Sequence, residues 1–237
     1  MNIMGDNIII SLMRIIRPPD TETCPGFSFA HAQSIQMSRY CFYIDGFNVY
    51  YSLNTKRFHK YKWLDYRKVT QGVITNGDKI TGIFYFTTFV KWKAEAVARH
   101  KQYIKALRSV GVETVFGRFL KKTVRCHLCG RHYKTREEKQ TDVNIALHLV
   151  CDGIADLYDR AIIVSGDTDL VPVIEAVHRI APDKEIGVLF PLRRYNNSLE
   201  KAADFAITMR EKMLSRCQFP DKLRIGNTTI ERPSSWC

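Results

Sequence analysis

Residues 160–170 read Arg-Ala-Ile-Ile-Val-Ser-Gly-Asp-Thr-Asp-Leu. An apolar, largely β-branched run without polar alternation is the pattern of a strand covered on both faces, as in a parallel sheet between helices. The run stops abruptly in Ser165-Gly166, and two carboxylates follow. Gly166 permits a tight turn after the strand. Asp167 and Asp169 flank one residue and therefore stand together at the sheet edge, where Asp169 also suits a helix cap. Helical spacing resumes over 169–180, a strand is predicted over 185–190, and a further helix begins in 198–205.

Upstream, the same alternation holds. Cys-Phe-Tyr-Ile-Asp (41–45) is a second apolar run closed by an acid. A short helix fits 65–74, a strand 80–90, a helix 93–110 ended by Gly111, and a strand 112–120. Residues 141–157 form a helix predicted to turn Val143, Ala146, Leu147 and Val150 inward. Strands separated by helices pair in parallel through right-handed crossovers. The expected fold is α/β: a three-layer, doubly wound, mainly parallel sheet of PIN-like or Rossmann-like type. Ligands of such sheets bind beyond the carboxyl ends of the strands, and two strands end there in Asp.

Residues 1–38 lack this pattern. They carry two basic and three acidic side chains, so the other residues hold a net +13 of the overall +12. Either translation starts naturally at Met37, or 1–38 is a loosely ordered arm. The domain is expected over 39–216, with a polar tail over 217–237 that is given no role. No apolar run reaches the roughly 20 residues of a membrane helix. Ala30-His-Ala32 looks like a cleavage site, but no basic residue precedes the apolar run at Ile8, which argues against a signal peptide. With seven scattered cysteines, reduced thiols and a cytoplasmic location are expected.

A basic chain favours phosphate-rich partners. Asp45, Asp167 and Asp169 at strand ends, with Asp142 at a helix start, would repel one another unless a cation lay between them. Oxygen-only ligands select a hard cation, Mg²⁺ or Mn²⁺. Such a set suits metal-assisted hydrolysis of a phosphate ester. Lys139, three residues before Asp142, offers a partner for a substrate phosphate. Asn48 can cap a helix or orient a carboxylate or water.

Three segments carry a family likeness: Phe-Tyr-Ile-Asp-Gly-Phe-Asn (42–48), Glu-Glu-Lys-Gln-Thr-Asp-Val (137–143) and Val-Ser-Gly-Asp-Thr-Asp-Leu (164–170). In order, spacing and context they resemble the NYN-domain family of PIN-like ribonucleases over residues 39–210. The resemblance implies a PIN-like fold and an acidic site of Asp45, Asp142, Asp167 and Asp169. It also implies Asn48 as the companion at the first motif, Lys139 as the basic residue before the helix Asp, and RNA processing or degradation. The expected activity is Mg²⁺- or Mn²⁺-dependent hydrolysis of single-stranded RNA. The alternative is a non-catalytic RNA-binding protein on the same fold; homo-oligomerisation is left open. Gly-Asp-Thr-Asp also resembles an acidic motif of haloacid-dehalogenase-type phosphohydrolases. That chemistry needs an Asp two residues after its nucleophile, and position 47 is Phe.

Two basic stretches are candidates for RNA contact. Residues 56–68 hold six Lys or Arg interleaved with aromatics, the pattern that tracks phosphates and stacks bases. Lys56, Arg57, Lys60, Lys62 and Trp63 are the residues named there. Residues 118–139 hold eight more, with Arg125, Arg131 and Arg136 as candidate phosphate contacts. Within the second stretch, Cys126-x2-Cys129 is half of a zinc site. His127, His148 or Cys151 would have to complete it, and two thiols or a redox pair are the alternatives.

Overall fold

The computed structural model describes residues 37–75, 77–89, 94–125 and 127–236, the side chains of 121 and 135–138 apart. In chain order its elements are β1 (Arg39–Asp45), α1 (Gly46–Ser52), α2 (Tyr66–Gln71), β2 (Lys79–Thr87), α3 (Ala94–Ser109), β3 (Glu113–Phe116), β4 (Arg118–Arg125) and β5 (His132–Lys139). There follow α4 (Thr141–Ile154), β6 (Arg160–Val164), α5 (Val171–Ile180), β7 (Glu185–Phe190), α6 (Asn197–Ala202), β8 (Phe205–Thr208), α7 (Glu211–Arg216), β9 (Lys222–Ile225) and β10 (Thr228–Glu231).

Six strands form the central sheet in the order β3-β2-β1-β6-β7-β8, and each adjacent pair runs parallel. This is the expected doubly wound architecture. Along β1 the side chains alternate between two cores. Phe42 and Ile44 pack with Val49, Val69, Ile104 and Leu107 from α1–α3. Cys41 and Tyr43 pack with Ile145, Leu149, Ile174 and Leu199 from α4–α6. Burial on both faces explains why the strands read as unbroken apolar runs. Chain order moves outward from β1 through β2 to β3, then returns to β6 on its other side. The switch point therefore lies between β1 and β6, where Ile44 is level with Val164.

Four expectations needed revision. In α4 the fully buried apolar side chains are Ile145 and Leu149; of the expected set Val150 packs partly buried against the same core, whereas Val143 and Leu147 are 59% and 57% exposed. The helix carries two apolar stripes, and spacing alone does not choose between them. The strand expected over 112–120 is two strands parted at Gly117. A Cβ there would stand 2.7 Å from the Lys139 carbonyl and 2.8 Å from Thr88 Oγ1. The chain then leaves the main sheet as β4, which pairs antiparallel with β5 in a two-stranded hairpin. Third, the helix expected to begin in 198–205 is α6, Asn197–Ala202, and it is followed by a strand, β8, that the pattern did not predict.

Finally, residues 217–236 are packed rather than a bare tail. The Phe219 amide donates to the Trp63 carbonyl (3.0 Å), and Trp236 packs against Trp63 with ring centroids 6.2 Å apart. Residues 1–36 lie outside the described residues.

Candidate active site

At the start of β1, acids are paired with cations. The Arg39 guanidinium reaches both Asp156 and Asp159 at 2.7 Å, and Lys184 holds Asp156 at 2.6 Å. Hydrogen bonds from Arg39 and Lys184 hold the Asp156 carboxyl down at about 2. The end of the same strand is the reverse. Asp45 is 4% exposed, and no described cation stands within ion-pair distance of it. Its Oδ1 accepts from the Asn48 amide (3.0 Å) and so caps α1. Its Oδ2 accepts from Ser165 Oγ (2.9 Å). Burial pushes the Asp45 carboxyl up to about 6, against these hydrogen bonds, and the charges of Asp142 and Asp167 add to the rise. The charges of Asp142 and Asp167 thus bear on Asp45 at the switch point, the place where doubly wound sheets bind ligands.

Side-chain acceptors tie the turn after β6 to the end of β1. Ser165 Oγ accepts from the Asp167 amide (3.2 Å), and Asn48 Oδ1 accepts from the Gly166 amide (3.2 Å). The Asn48 side chain therefore positions the 165–167 turn, and the cap of α1 is Asp45. Asp167 Oδ1 accepts from the Asp169 amide (3.1 Å) and caps a short 3-10 turn at Thr168–Leu170, on which Asp169 is exposed. Asp142 lies exposed in the first turn of α4. Lys139 ends β5 opposite Arg118, at the root of the hairpin. That root reaches the site, for Phe119 packs edge-on against Phe47 at 5.9 Å.

The candidate ligands around Asp45 are carboxylate oxygens, beside the Ser165 hydroxyl and the Asn48 amide oxygen, and an all-oxygen set fits Mg²⁺ or Mn²⁺ in kind. A buried carboxylate with like charges around it is also a group that a divalent ion would stabilise. The set is not preassembled: among the described residues, no three His, Cys, Asp or Glu side chains are placed to hold one ion. A Mg²⁺ ion would keep several waters and take one or two of these carboxylates directly. The zinc expectation falls in part outside the described residues. Cys126 is not among them, Cys129 and Cys151 are exposed thiols, and His148 packs tilted against Phe84 and edge-on to Phe86.

The proposed RNA contacts divide. Lys56, Arg57 and Lys60 are exposed on the turn after α1, although Arg57 is engaged with Glu211 at 2.7 Å. Trp63 is corrected to a core residue. Its exposure is 0%, and its indole N–H donates to the Pro220 carbonyl (3.0 Å), so it stacks no base. Lys62 is also buried, with Nζ 2.8 Å from Asn54 Oδ1 and 4.1 Å over the Tyr50 ring. Arg125 and Arg131 are exposed on the hairpin; the Arg136 side chain lies outside the described residues.

Sequence reading missed Ser165, although it stands inside the third motif. It also missed the loop after β7. A Cβ on Gly166 would lie 2.0 Å from the Arg194 carbonyl, so this loop crosses directly over the turn and brings Arg193 and Arg194 to the same edge. The only signal was the Arg-Arg pair itself, since the close approach is tertiary.

The NYN domain model matches residues 39–210, which span all three motifs. The chain is 29% identical to the 6-hydroxy-3-succinoylpyridine 3-monooxygenase of Pseudomonas putida (strain DSM 28022 / S16), over 82% of this chain and 74% of that protein. Its fold is similar to the crystal structure of a protein of unknown function from Vibrio parahaemolyticus. That likeness has a TM-score of 0.54 at 21% identity and covers 76% of this chain and 97% of that one. No described helix is long and apolar enough to cross a membrane.

Proposed function

The chain belongs to the NYN domain family, a family of nuclease-type hydrolases, and from that premise we propose that it is a Mg²⁺- or Mn²⁺-dependent ribonuclease acting on single-stranded RNA. One observation carries the proposal. At the switch point of the sheet, the buried Asp45 has no cation partner among the described residues, and the charges of Asp142 and Asp167 bear on it.

The chain's own groups divide the work. Asp45 is the fixed ligand, held by Ser165 and Asn48. Asp142 and Asp167 are the adjustable ones, and Asp169 is their outer companion. A divalent ion bound among them supplies Lewis-acid polarisation of a phosphoryl oxygen and activation of water. Lys139 offers an ammonium to the phosphate at the mouth of the site, and the exposed Arg125 and Arg131 extend the basic surface along the hairpin. The net charge of +12 supports a polyanionic substrate.

The Pseudomonas putida relative is named as a monooxygenase of a hydroxypyridine. That similarity favours a second reading, in which the same edge serves a small heteroaromatic substrate. Incubating the protein with labelled single-stranded RNA, with and without Mn²⁺, beside Asp167→Asn separates the readings. The ribonuclease reading expects products that need the ion and vanish in the variant. RNA that binds but stays intact across metals would leave a non-catalytic RNA-binding protein. RNA that neither binds nor is cut would leave the small-molecule reading.

A further inference from the structure

Beside the acids, on the α1–α3 face of the sheet, lies a cleft of about 370 Å³. Its first wall is α1 itself. Gly46 and Phe47, the two residues after Asp45, line it, followed by Tyr50, Tyr51 and Asn54. Phe47 and Tyr51 are stacked at 6.1 Å, and Tyr50 meets Tyr51 edge-on at 5.7 Å. Tyr51 is 54% exposed, an unusual place for a ring already engaged with two others. On the far side are Arg99, His100, Tyr103 and Trp236. Trp236 comes from the packed C-terminal segment, beyond the residues matched by the family model.

The polar groups are as selective as the rings. Lys62 is 7% exposed, and no described carboxylate pairs with it. Among the described residues its ammonium is held by Asn54 Oδ1 and the Tyr50 ring, and burial pushes it down to about 8. Because Lys62 occupies the Asn54 carbonyl oxygen, the amide of Asn54 is left with its two N–H donors for a cleft ligand. Arg99, half-buried and in a long ion pair with the exposed Glu95 (3.8 Å), brings a second cation, a guanidinium, to this wall. Burial also pushes His100 down to about 4, so that ring is neutral at neutral pH. A ligand here is planar and aromatic, carries acceptor atoms on its edge, and is not a cation.

Position selects among such ligands. Asp45 is level with Phe86 in the sheet, and Thr87, the next residue of β2, lines the cleft. The cleft mouth is therefore one residue from the acidic site along two adjacent strands. We propose that this cleft is a nucleobase subsite, taking the base of the nucleotide next to the phosphate held at the acids. Phe47 and Tyr51 form its stacking platform, and Asn54 and Arg99 read the acceptor edge of the base. The proposal rests on the ribonuclease reading and deepens it.

The test uses the full chain and a short single-stranded RNA. A matching series carries one abasic nucleotide at each position in turn. Binding is read by fluorescence anisotropy in EDTA, and cleavage separately in Mn²⁺. One abasic position should weaken binding about tenfold, as loss of a single base stack does. Tyr51→Ala should level that position with the rest, and Tyr51→Phe should preserve the penalty. Equal denaturation midpoints of the three proteins would show that folding is not the cause. A flat abasic profile in the wild type, or one that Tyr51→Ala leaves unchanged, overturns the subsite. So does competition by a free hydroxypyridine at concentrations matching the RNA, which would make the cleft a small-molecule site. A single-position penalty without cleavage in any metal sinks the ribonuclease reading and leaves the base site. Cleavage with a flat profile does the opposite.

Discussion

Ser165 Oγ donates a 2.9 Å hydrogen bond to Asp45 Oδ2 and accepts one from the Asp167 amide. One hydroxyl thus ties the carboxylate ending β1 to the turn that carries the next acid. Ser165→Ala removes a donor from a buried carboxylate and leaves the Asp167 amide without this acceptor. Hydrogen bonds to charged groups contribute about 1.5–3 kcal/mol each. The variant is expected to lose about 2 kcal/mol in urea unfolding and to bind Mn²⁺ more weakly. An unchanged midpoint together with an unchanged Mn²⁺ titration would show that the bond positions nothing.

Asp45 makes the site unstable in a pH-dependent way. Its folded pKa is about 6, raised from 3.8 mainly by burial. The folded state therefore binds the proton more tightly than the unfolded chain does. Stability from this group is fully present below pH ~4 and is lost as pH rises through 6. At roughly 1.4 kcal/mol per pKa unit, the loss is on the order of 2–3 kcal/mol. Asp45→Asn keeps the shape without the charge. In metal-free buffer it should be more stable than wild type by about that amount at pH 8, and no more stable at pH 4. Saturating Mn²⁺ should restore wild type alone. Equal thermal midpoints of the two proteins at pH 8 without metal would sink the argument.

These acids were legible because a strand buried on both faces leaves a simple mark: an apolar run that stops at a carboxylate. Asp45 and Asp167 could be assigned to the sheet edge on that mark alone. What failed depended on choices a one-dimensional pattern leaves open. In α4, Val143 and Leu147 repeat at the same spacing as Ile145 and Leu149, and only the sheet decides which pair turns inward. Trp63 lies among lysines and reads as surface. It is buried because Phe219, Pro220 and Trp236 close over it, and those residues sit in a stretch with no period of its own. Polar residues on both faces hid the β4–β5 hairpin. With only four residues, β8 was too short to show a period of its own after α6.

The crossing of the 191–196 loop over Gly166 gives a sharper test of packing. A Cβ at 166 would stand 2.0 Å from the Arg194 carbonyl oxygen, far inside contact distance, and the obstacle is backbone. Gly166→Ala must push this loop away or shift the turn that carries Asp167. Overpacking of this kind costs about 1–3 kcal/mol. We expect a loss near 3 kcal/mol, with activity falling further than stability because Asp167 moves. A variant with wild-type unfolding and wild-type turnover would mean that the loop does not rest on the turn.

The β4–β5 hairpin has a two-stranded sheet of its own, so its exposed arginines can be removed at little cost to the fold. Arg125 lies in the last β4 pair and Arg131 just before β5, both far along the chain from the root at Arg118 and Lys139. If they contact phosphates, each removed charge should lower the slope of log affinity against log salt by about 0.7 for a single strand. Arg125→Ala with Arg131→Ala should then flatten the slope by about 1.4, weaken binding most at low salt, and leave the unfolding midpoint unchanged. Because phosphate contacts carry no sequence information, the loss should be the same for every RNA tried. A slope that does not move, with affinity also unchanged, would place the RNA path away from the hairpin.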